Sequence, residues 1–144
     1  MKQLSVFIEN REGRLEDVLN LLKEENINII SLSLADTSDY GMLRLIVSDP
    51  QKGCEALKEN GFSATLNDVV AVTLPHKVGA LQEILHVLCK ESLNVEYMYA
   101  FGTKLDQHAM IIFKTEDNRR ADEILQEEGM HALTSEEVHA RLYS

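Results

Sequence analysis

Cysteine, positive charge and long apolar runs are all scarce in this chain. Its two cysteines, Cys54 and Cys89, stand alone at different places in the pattern. Neither a disulfide framework nor a CxxC metal site follows from them, and a reduced, cytoplasmic setting is expected. Lysine and arginine number 14 against 24 aspartates and glutamates, for a formal net charge of −10. Nucleic-acid phosphates demand a basic surface, and so does electrostatic docking on an anionic membrane. No nucleic acid and no membrane are therefore expected as partners. No apolar run approaches the roughly 20 residues of a membrane span. Glu9, Arg11 and Glu12 interrupt the N-terminal stretch where a signal peptide would need its apolar core.

Catalytic signatures are missing as well. GxSxG, HExxH, P-loop and GxGxxG patterns do not occur. Ser31, Ser33 and the lone cysteines have no base at a recognisable spacing. His86 and Cys89 lie three apart on a helical pattern, which is a metal-sharing spacing, but no third ligand accompanies them and packing or surface roles are expected. His131 and His139 flank the C-terminal tail and are expected to face solvent. The expectation is a protein with no catalytic residues, no metal and no cofactor.

What is present is a repeat. The chain has 144 residues, 44% hydrophobic and 26% charged, enough for one ordinary domain or two small ones with packed cores. An offset of 66 carries Gly13 to Gly79, Leu15 to Leu81, Val18 to Ile84, Leu19 to Leu85, Leu22 to Leu88 and Asn28 to Asn94. Further along the offset becomes 68, carrying Leu57 to Leu125, Glu59 to Glu127 and Gly61 to Gly129. This period is longer than that of stacked solenoid units and points to two domains.

Each copy opens on a Val/Ile-rich strand, "LSVFI" or "VVAVTL", and then a polar turn. Leu15, Val18, Leu19 and Leu22 follow at i, i+3, i+4, i+7, as do Leu81, Ile84, Leu85 and Leu88, each set forming one helical stripe. Strands are expected at "INIISLSLA" and "MLRLIVS", and in the second copy at "NVEYMYAF" and "HAMIIFKT". "DPQKGCEALKENG" and "EDNRRADEILQEEG" read as second helices, the first with an Asp-Pro start and a Gly stop. "FSATL" and "MHALT" read as fourth strands. Thr134, three residues before Glu137, marks a short last helix by its capping-box spacing. The fold class is α+β: two ferredoxin-like βαββαβ domains, residues 1–68 and 69–144, each an antiparallel four-stranded sheet with two helices on one face. Tyr97, Tyr99 and Phe101 alternate and are expected to share one sheet face. With an acidic chain and no RNP pattern they suit packing or a pocket lining better than RNA stacking.

The two polar turns carry the chemistry. Gly13 and Gly79 stand where a strand delivers the chain to a helix N-terminus, so a ligand can approach the backbone closely. First-turn N–H groups and the helix dipole can hold a carboxylate there. Asn10 can add a directional hydrogen bond, and Glu9 or Glu12 can receive an ammonium group. A bland reading stands beside this one: the glycines serve the turn, and Asn28 and Asn94 cap the helix ends. Recurrence of the whole set at one spacing favours a site. The turns differ, the first holding Glu9 and Glu12 beside Arg11, the second His76 and Lys77 with no acid nearby. A carboxylate should prefer the second.

"ENREGRLEDVLNLLKEENINI" and "PHKVGALQEILHVLCKESLNV" resemble the first strand-turn-helix of ACT domains, small ligand-binding regulatory modules of amino-acid metabolism. The whole chain looks like a stand-alone tandem ACT protein. The family pattern is D/N-R-P-G-x-L, a helix, then G-[IV]-N-[IV]. Asn10, Arg11, Gly13, Leu15 and Asn28 match it in the first copy; Lys77, Gly79, Leu81 and Asn94 match it in the second. Glu12 and Val78 replace the usual Pro, His76 replaces Asn or Asp, and "EENIN" and "ESLN" lack the usual Gly. "IENREG" is similar to the H-E-N-R-P-G of the serine-binding domain of phosphoglycerate dehydrogenase, with Ile8 in the His position.

The resemblance implies a non-catalytic amino-acid-binding regulator with its ligand between paired ACT domains. An exposed sheet face and edge strands on each small domain make a homo-oligomer the expectation, and the resemblance implies a metabolic enzyme as a further partner. The implied ligand-binding residues are Asn10, Arg11, Glu12, Gly13, Arg14, Leu15 and Asn28, with His76, Lys77, Val78, Gly79, Ala80, Leu81 and Asn94. Two crossed sites are expected, one joining the Asn10–Gly13 turn to Asn94, the other joining the His76–Gly79 turn to Asn28. The alternative is a structural or interaction module whose ACT-type sites are empty.

Overall fold

The computed structural model describes residues 1–36, 39–102, 108–130 and 132–143. The expected loop around residues 103–107 and His131, expected to face solvent, lie outside the described residues, as does the side chain of Phe101. The chain divides into two compact units, one of Lys2–Asn67, the other of Asp68–Ser144 together with Met1. No helix is long and apolar enough to cross a membrane among the described residues.

The first unit runs β1 (Lys2–Glu9), α1 (Arg14–Glu24), β2 (Ile29–Asp36), β3 (Tyr40–Val47), α2 (Pro50–Glu59) and β4 (Ser63–Asp68). Its sheet has the order β2-β3-β1-β4, with both β1 and β2 antiparallel to β3. Alternation along β1 sends Leu4, Val6 and Ile8 to the helix face. Leu4 lies opposite Leu45, and Val6 opposite Leu43. Val18 and Leu22 of α1 and Leu57 of α2 close over them, all fully buried. Each such side chain contributes about 1.5–3 kcal/mol by leaving water.

The helices end in two ways. After α2 the chain turns through Gly61 at φ 84°. After α1 it turns through Asn26 at φ 58°, and Ile27 N donates to Leu22 O at 2.9 Å. A left-handed residue closes the helix in both cases. Where the ACT pattern has glycine, this chain uses asparagine, whose short polar side chain tolerates the left-handed region.

The second unit runs β5 (Val70–Pro75), α3 (Ala80–Lys90), β6 (Val95–Gly102), β7 (His108–Thr115), α4 (Asn118–Glu127) and α5 (Ser135–Tyr143). Its sheet has the order β5-β7-β6. Val70, Val72, Ile111 and Phe113 of the sheet pack with Ile84 and Leu88 of α3 and Leu125 of α4. The closing residues match the first copy: Gly129 at φ 75° after α4, and Ser92 at φ 59° after α3, with Leu93 N donating to Leu88 O at 3.0 Å. His139 is half-buried rather than open to solvent.

The two βαββαβ units are as expected, but the fourth strands differ. β4 is a full strand, whereas "MHALT" is reduced to an isolated antiparallel bridge between Val72 and Ala132. Leu133 N donates to Ala71 O at 2.7 Å, and the chain then leaves the sheet. Two signals compete in this segment, and the capping box wins. Thr134 N donates to Glu137 Oε2 at 2.8 Å, and Glu137 N donates to Thr134 Oγ1 at 3.2 Å. That reciprocal pair starts α5 where the strand would have continued.

Candidate ligand-binding turns

Both strand-to-helix corners have one backbone. In the first, Arg11 N donates to Glu9 O at 2.9 Å, Arg14 N to Arg11 O at 3.4 Å and Asp17 N to Gly13 O at 3.0 Å. In the second, Lys77 N donates to Pro75 O at 2.9 Å, Ala80 N to Lys77 O at 3.3 Å and Glu83 N to Gly79 O at 3.0 Å. Gly13 sits at φ 87°, ψ −16°, and Gly79 at φ 87°, ψ −2°. Space does not dictate glycine here, because a Cβ at either position would meet nothing within 4 Å. Backbone conformation dictates it, since φ near +87° strains any β-carbon. The empty space over each glycine leaves its backbone open to an approaching group.

Capping separates these corners from the other helix starts. Asp49 accepts from Lys52 N at 3.1 Å to cap α2, and Asp117 accepts from Arg120 N at 3.1 Å to cap α4. At α1 and α3 no side chain caps the first turn. Those N–H groups and the positive end of the helix dipole are what an anion needs.

The side chains around this shared backbone differ. In the first corner Asn10 N donates to Asp39 O at 2.9 Å, and Arg11 Nε bonds Glu9 Oε2 at 2.7 Å, both side chains exposed. Glu12 is exposed. Arg14 is drawn away from the turn: its Nη1 lies 3.4 Å from Asp17 Oδ2 and its guanidinium sits 4.3 Å from the Phe62 ring centroid. Its Nε is buried with no acceptor among the described residues. Leu15 packs against the first core.

In the second corner His76, Lys77 and Val78 are all exposed, Val78 entirely so. Ala80 is buried in the second core, and Leu81 remains exposed. Lys77 does have an acid nearby, contrary to the expectation from its immediate neighbours. Glu83 Oε1, one helical turn along, lies 3.8 Å from Lys77 Nζ. The pair is looser than Arg11–Glu9 and both members are exposed, so it offsets little of the lysine's charge.

Asn28 and Asn94 are not beside the turns of their own units. β1 pairs Glu9 with Tyr40 at one end of the first sheet, while β2 pairs Ile29 with Val47 at the other. The seven steps along β3 from Tyr40 to Val47 span roughly 23 Å. Asn28 N donates to Ser48 Oγ at 2.9 Å, and Ser48 N returns a bond to Asn28 O. Asn94 N donates to the Glu116 carboxylate at 3.3 Å, and the register of β5 and β6 on β7 puts it likewise opposite its turn. One small molecule cannot touch both groups of one unit. Asn28 instead borders a cleft of about 450 Å³ lined by Leu19, Lys23, Asn26, Ile27 and Ile29. Sequence reasoning missed Lys23 as a neighbour of Asn28. The signal available was its place in the last turn of α1, just before the closing Asn26.

Among the described residues no group of three or more His, Cys, Asp or Glu is placed to hold a metal ion. His86 and Cys89 are both exposed on α3.

The comparisons with known proteins agree with this architecture. No curated protein matches the chain. A solved structure of protein BT0572 from Bacteroides thetaiotaomicron is 38% identical, covers 96% of this chain and 94% of its own, and superposes with a TM-score of 0.89. The ligand-free regulatory subunit of aspartate kinase from Thermus thermophilus shares the fold at 17% identity, with 88% of this chain and 91% of that one covered and a TM-score of 0.61. The corresponding subunit from Thermus flavus is similar at 19% identity, covering 88% and 90%, with a TM-score of 0.61. A family model described as an ACT domain pair matches residues 1–142, so the chain belongs to the family of paired ACT domains.

Proposed function

We propose that this protein is a non-catalytic regulator that binds a free amino acid at the strand-to-helix turns of its ACT units. One observation carries the reading: the two corners repeat one backbone, and their helices alone among α1–α4 lack a side-chain cap. In this reading the ligand carboxylate takes the first-turn N–H groups beside Gly13 or Gly79, and Asn10 adds its side-chain amide in the first turn. The second-strand asparagine of a neighbouring ACT unit, Asn28 or Asn94, completes the site from the opposite side. That requirement follows from the distance between each asparagine and its own turn.

The second turn is the tighter site. Lys77 and His76 flank it, whereas Glu9 and Glu12 crowd the first with negative charge. Arg11 does not compensate fully because Glu9 already holds it. The regulated partner is a metabolic enzyme, and the setting is cytoplasmic. The aspartate kinase regulatory subunits with the same fold support a regulatory role.

A thermal-shift screen over the twenty amino acids tests the proposal. A ligand at 100 times its Kd stabilises by about 2.7 kcal/mol, a readily measured shift. Stabilisation by one or a few amino acids is expected. No shift with any of them would replace this reading with that of an interaction module whose ACT-type sites are empty.

A further inference from the structure

Two buried side-chain polar atoms lack a hydrogen-bond partner among the described residues, Arg14 Nε and Asp122 Oδ1. The Phe62 ring and Asp17 account for where the Arg14 side chain lies. Asp122 Oδ1 is left without a donor. Burying a carboxylate oxygen in that state costs free energy. The fold itself does not demand that cost. The offset of 68 places Asp122 of α4 where α2 has Cys54. Cys54 is buried and packs into the first core. The same helix position thus holds an apolar group in one copy and a charged one in the other.

Asp122 lines a cavity of about 560 Å³, a size typical of small-molecule sites. All of its lining residues belong to the second unit. Its walls are α4, the start of β5 and residues 132–135, where the chain departs from the sheet. Val69, Ala71, Ala132 and Leu133 give it an apolar side, and Asp122, with Asp68 as a further acid, gives it an acidic one. The cations of the lining are engaged elsewhere. Arg119 Nε lies 3.4 Å from Glu123 Oε1, and the Met1 amino group donates to Val69 O at 3.4 Å.

We propose that this cavity is a ligand site distinct from the two turns, and that it takes an organic ammonium group carried on a short aliphatic body. The ammonium donates to Asp122 Oδ1, and its charge balances the carboxylate away from bulk water. The aliphatic body lies against Ala71, Ala132 and Leu133 and leaves water as it does so. An alcohol of the same shape supplies the hydrogen bond without the charge, and a carboxylate meets Asp122 with repulsion. Five steps of β5, roughly 17 Å, separate Val70 from Pro75, where the Gly79 turn begins. One small molecule does not reach both places, so the site stands whether or not the turns bind an amino acid.

Titration of n-butylammonium chloride into the isotope-labelled full chain, followed by heteronuclear NMR, tests the proposal. Saturable shifts are expected at the amides of Ala71, Asp122 and Leu133, with those of Gly13 and Gly79 unmoved. The alcohol n-butanol is expected to bind about 10-fold more weakly, the difference between a charge-assisted and a neutral hydrogen bond. Sodium butyrate at matched ionic strength is expected to give no saturable shift at these amides. Asp122→Asn, which keeps the size of the side chain, is expected to weaken n-butylammonium by about the same factor. Asp122→Cys, which installs the first copy's residue, is expected to abolish the shifts. Absence of a saturable shift with n-butylammonium would overturn the proposal, as would shifts centred on the Gly13 or Gly79 turn. Equal affinity for n-butanol would overturn the ammonium specificity, and so would undiminished binding by Asp122→Asn or Asp122→Cys.

Discussion

The two strand-to-helix corners have the same three backbone hydrogen bonds, the same left-handed glycine and the same missing cap, yet hardly a side chain in common. Glu12 stands against Val78, Arg14 against Ala80, and an Arg–Glu pair at 2.7 Å against a Lys–Glu pair at 3.8 Å. A corner of this kind separates what the backbone supplies from what side chains add. In the proposed reading, carboxylate affinity rests on N–H groups and a helix dipole, which any sequence provides once the glycine is in place. Preference rests on the surrounding charge, and there the copies have moved apart. The same contrast holds on the second helices, where Cys54 of one copy stands against Asp122 of the other.

The largest expected effect concerns the cores, where the copies should behave alike. Leu22→Ala and Leu88→Ala each remove a side chain buried at the same place under the sheet, and each should cost about 2–5 kcal/mol in urea denaturation. A loss confined to one would show that the cores, like the corners, have diverged. Next is the ligand. Gly79→Val should abolish most of the roughly 2.7 kcal/mol that a saturating amino acid adds, and Gly13→Val should remove less. Titration calorimetry on both variants checks this, with apo melting temperatures separating lost binding from the backbone strain of valine at φ 87°. Equal losses would count against a preference for the second turn.

The helix ends should show a smaller effect. Ser92→Gly relieves a left-handed serine and should stabilise by about 1 kcal/mol, whereas Asn26→Gly should gain less, because asparagine tolerates that region better. Thermal melts of the two variants rank them directly.

The smallest effect is on the surface of the second sheet. Lys114 Nζ bonds Glu96 Oε2, and that carboxylate holds the lysine's pKa above its usual value against the opposing pull of burial. A raised folded-state pKa means the stabilisation is complete below the unfolded lysine's pKa and fades as pH rises through the folded value. Lys114→Met should therefore cost less than about 1 kcal/mol at neutral pH, and the difference from wild type should shrink in strongly alkaline solution.

Most of the fold was legible in the sequence because local signals agreed. The stripe of Leu15, Val18, Leu19 and Leu22 has the helical period, and Asp49-Pro50 marks a helix start that the structure keeps. The fourth strand of the second copy was not legible, because "MHALT" has strand character and Thr134 has capping character. Only the folded structure shows that Thr134 and Glu137 satisfy each other. At the turns, glycine and the helix start could be read from spacing alone. That Arg14 is held by Asp17 and Phe62 could not, since Phe62 is distant in sequence. Nor could the opposition of each asparagine to its own turn, which depends on strand register.

The early departure of the chain at Thr134 also bears on how the second unit comes apart. β1 is flanked on both sides by full strands, so releasing it means breaking a complete ladder. The outer side of β5 is held by the bridge at Val72, the bond from Leu133 to Ala71 and the bond from Val69 N to Met1 O. Opening this side breaks fewer backbone bonds than releasing β1, at the cost of uncovering Leu133 and Val138. Residues 132–134 are then the place where a protease would first find an extended chain, and where the second unit would begin to unzip while the first stayed closed.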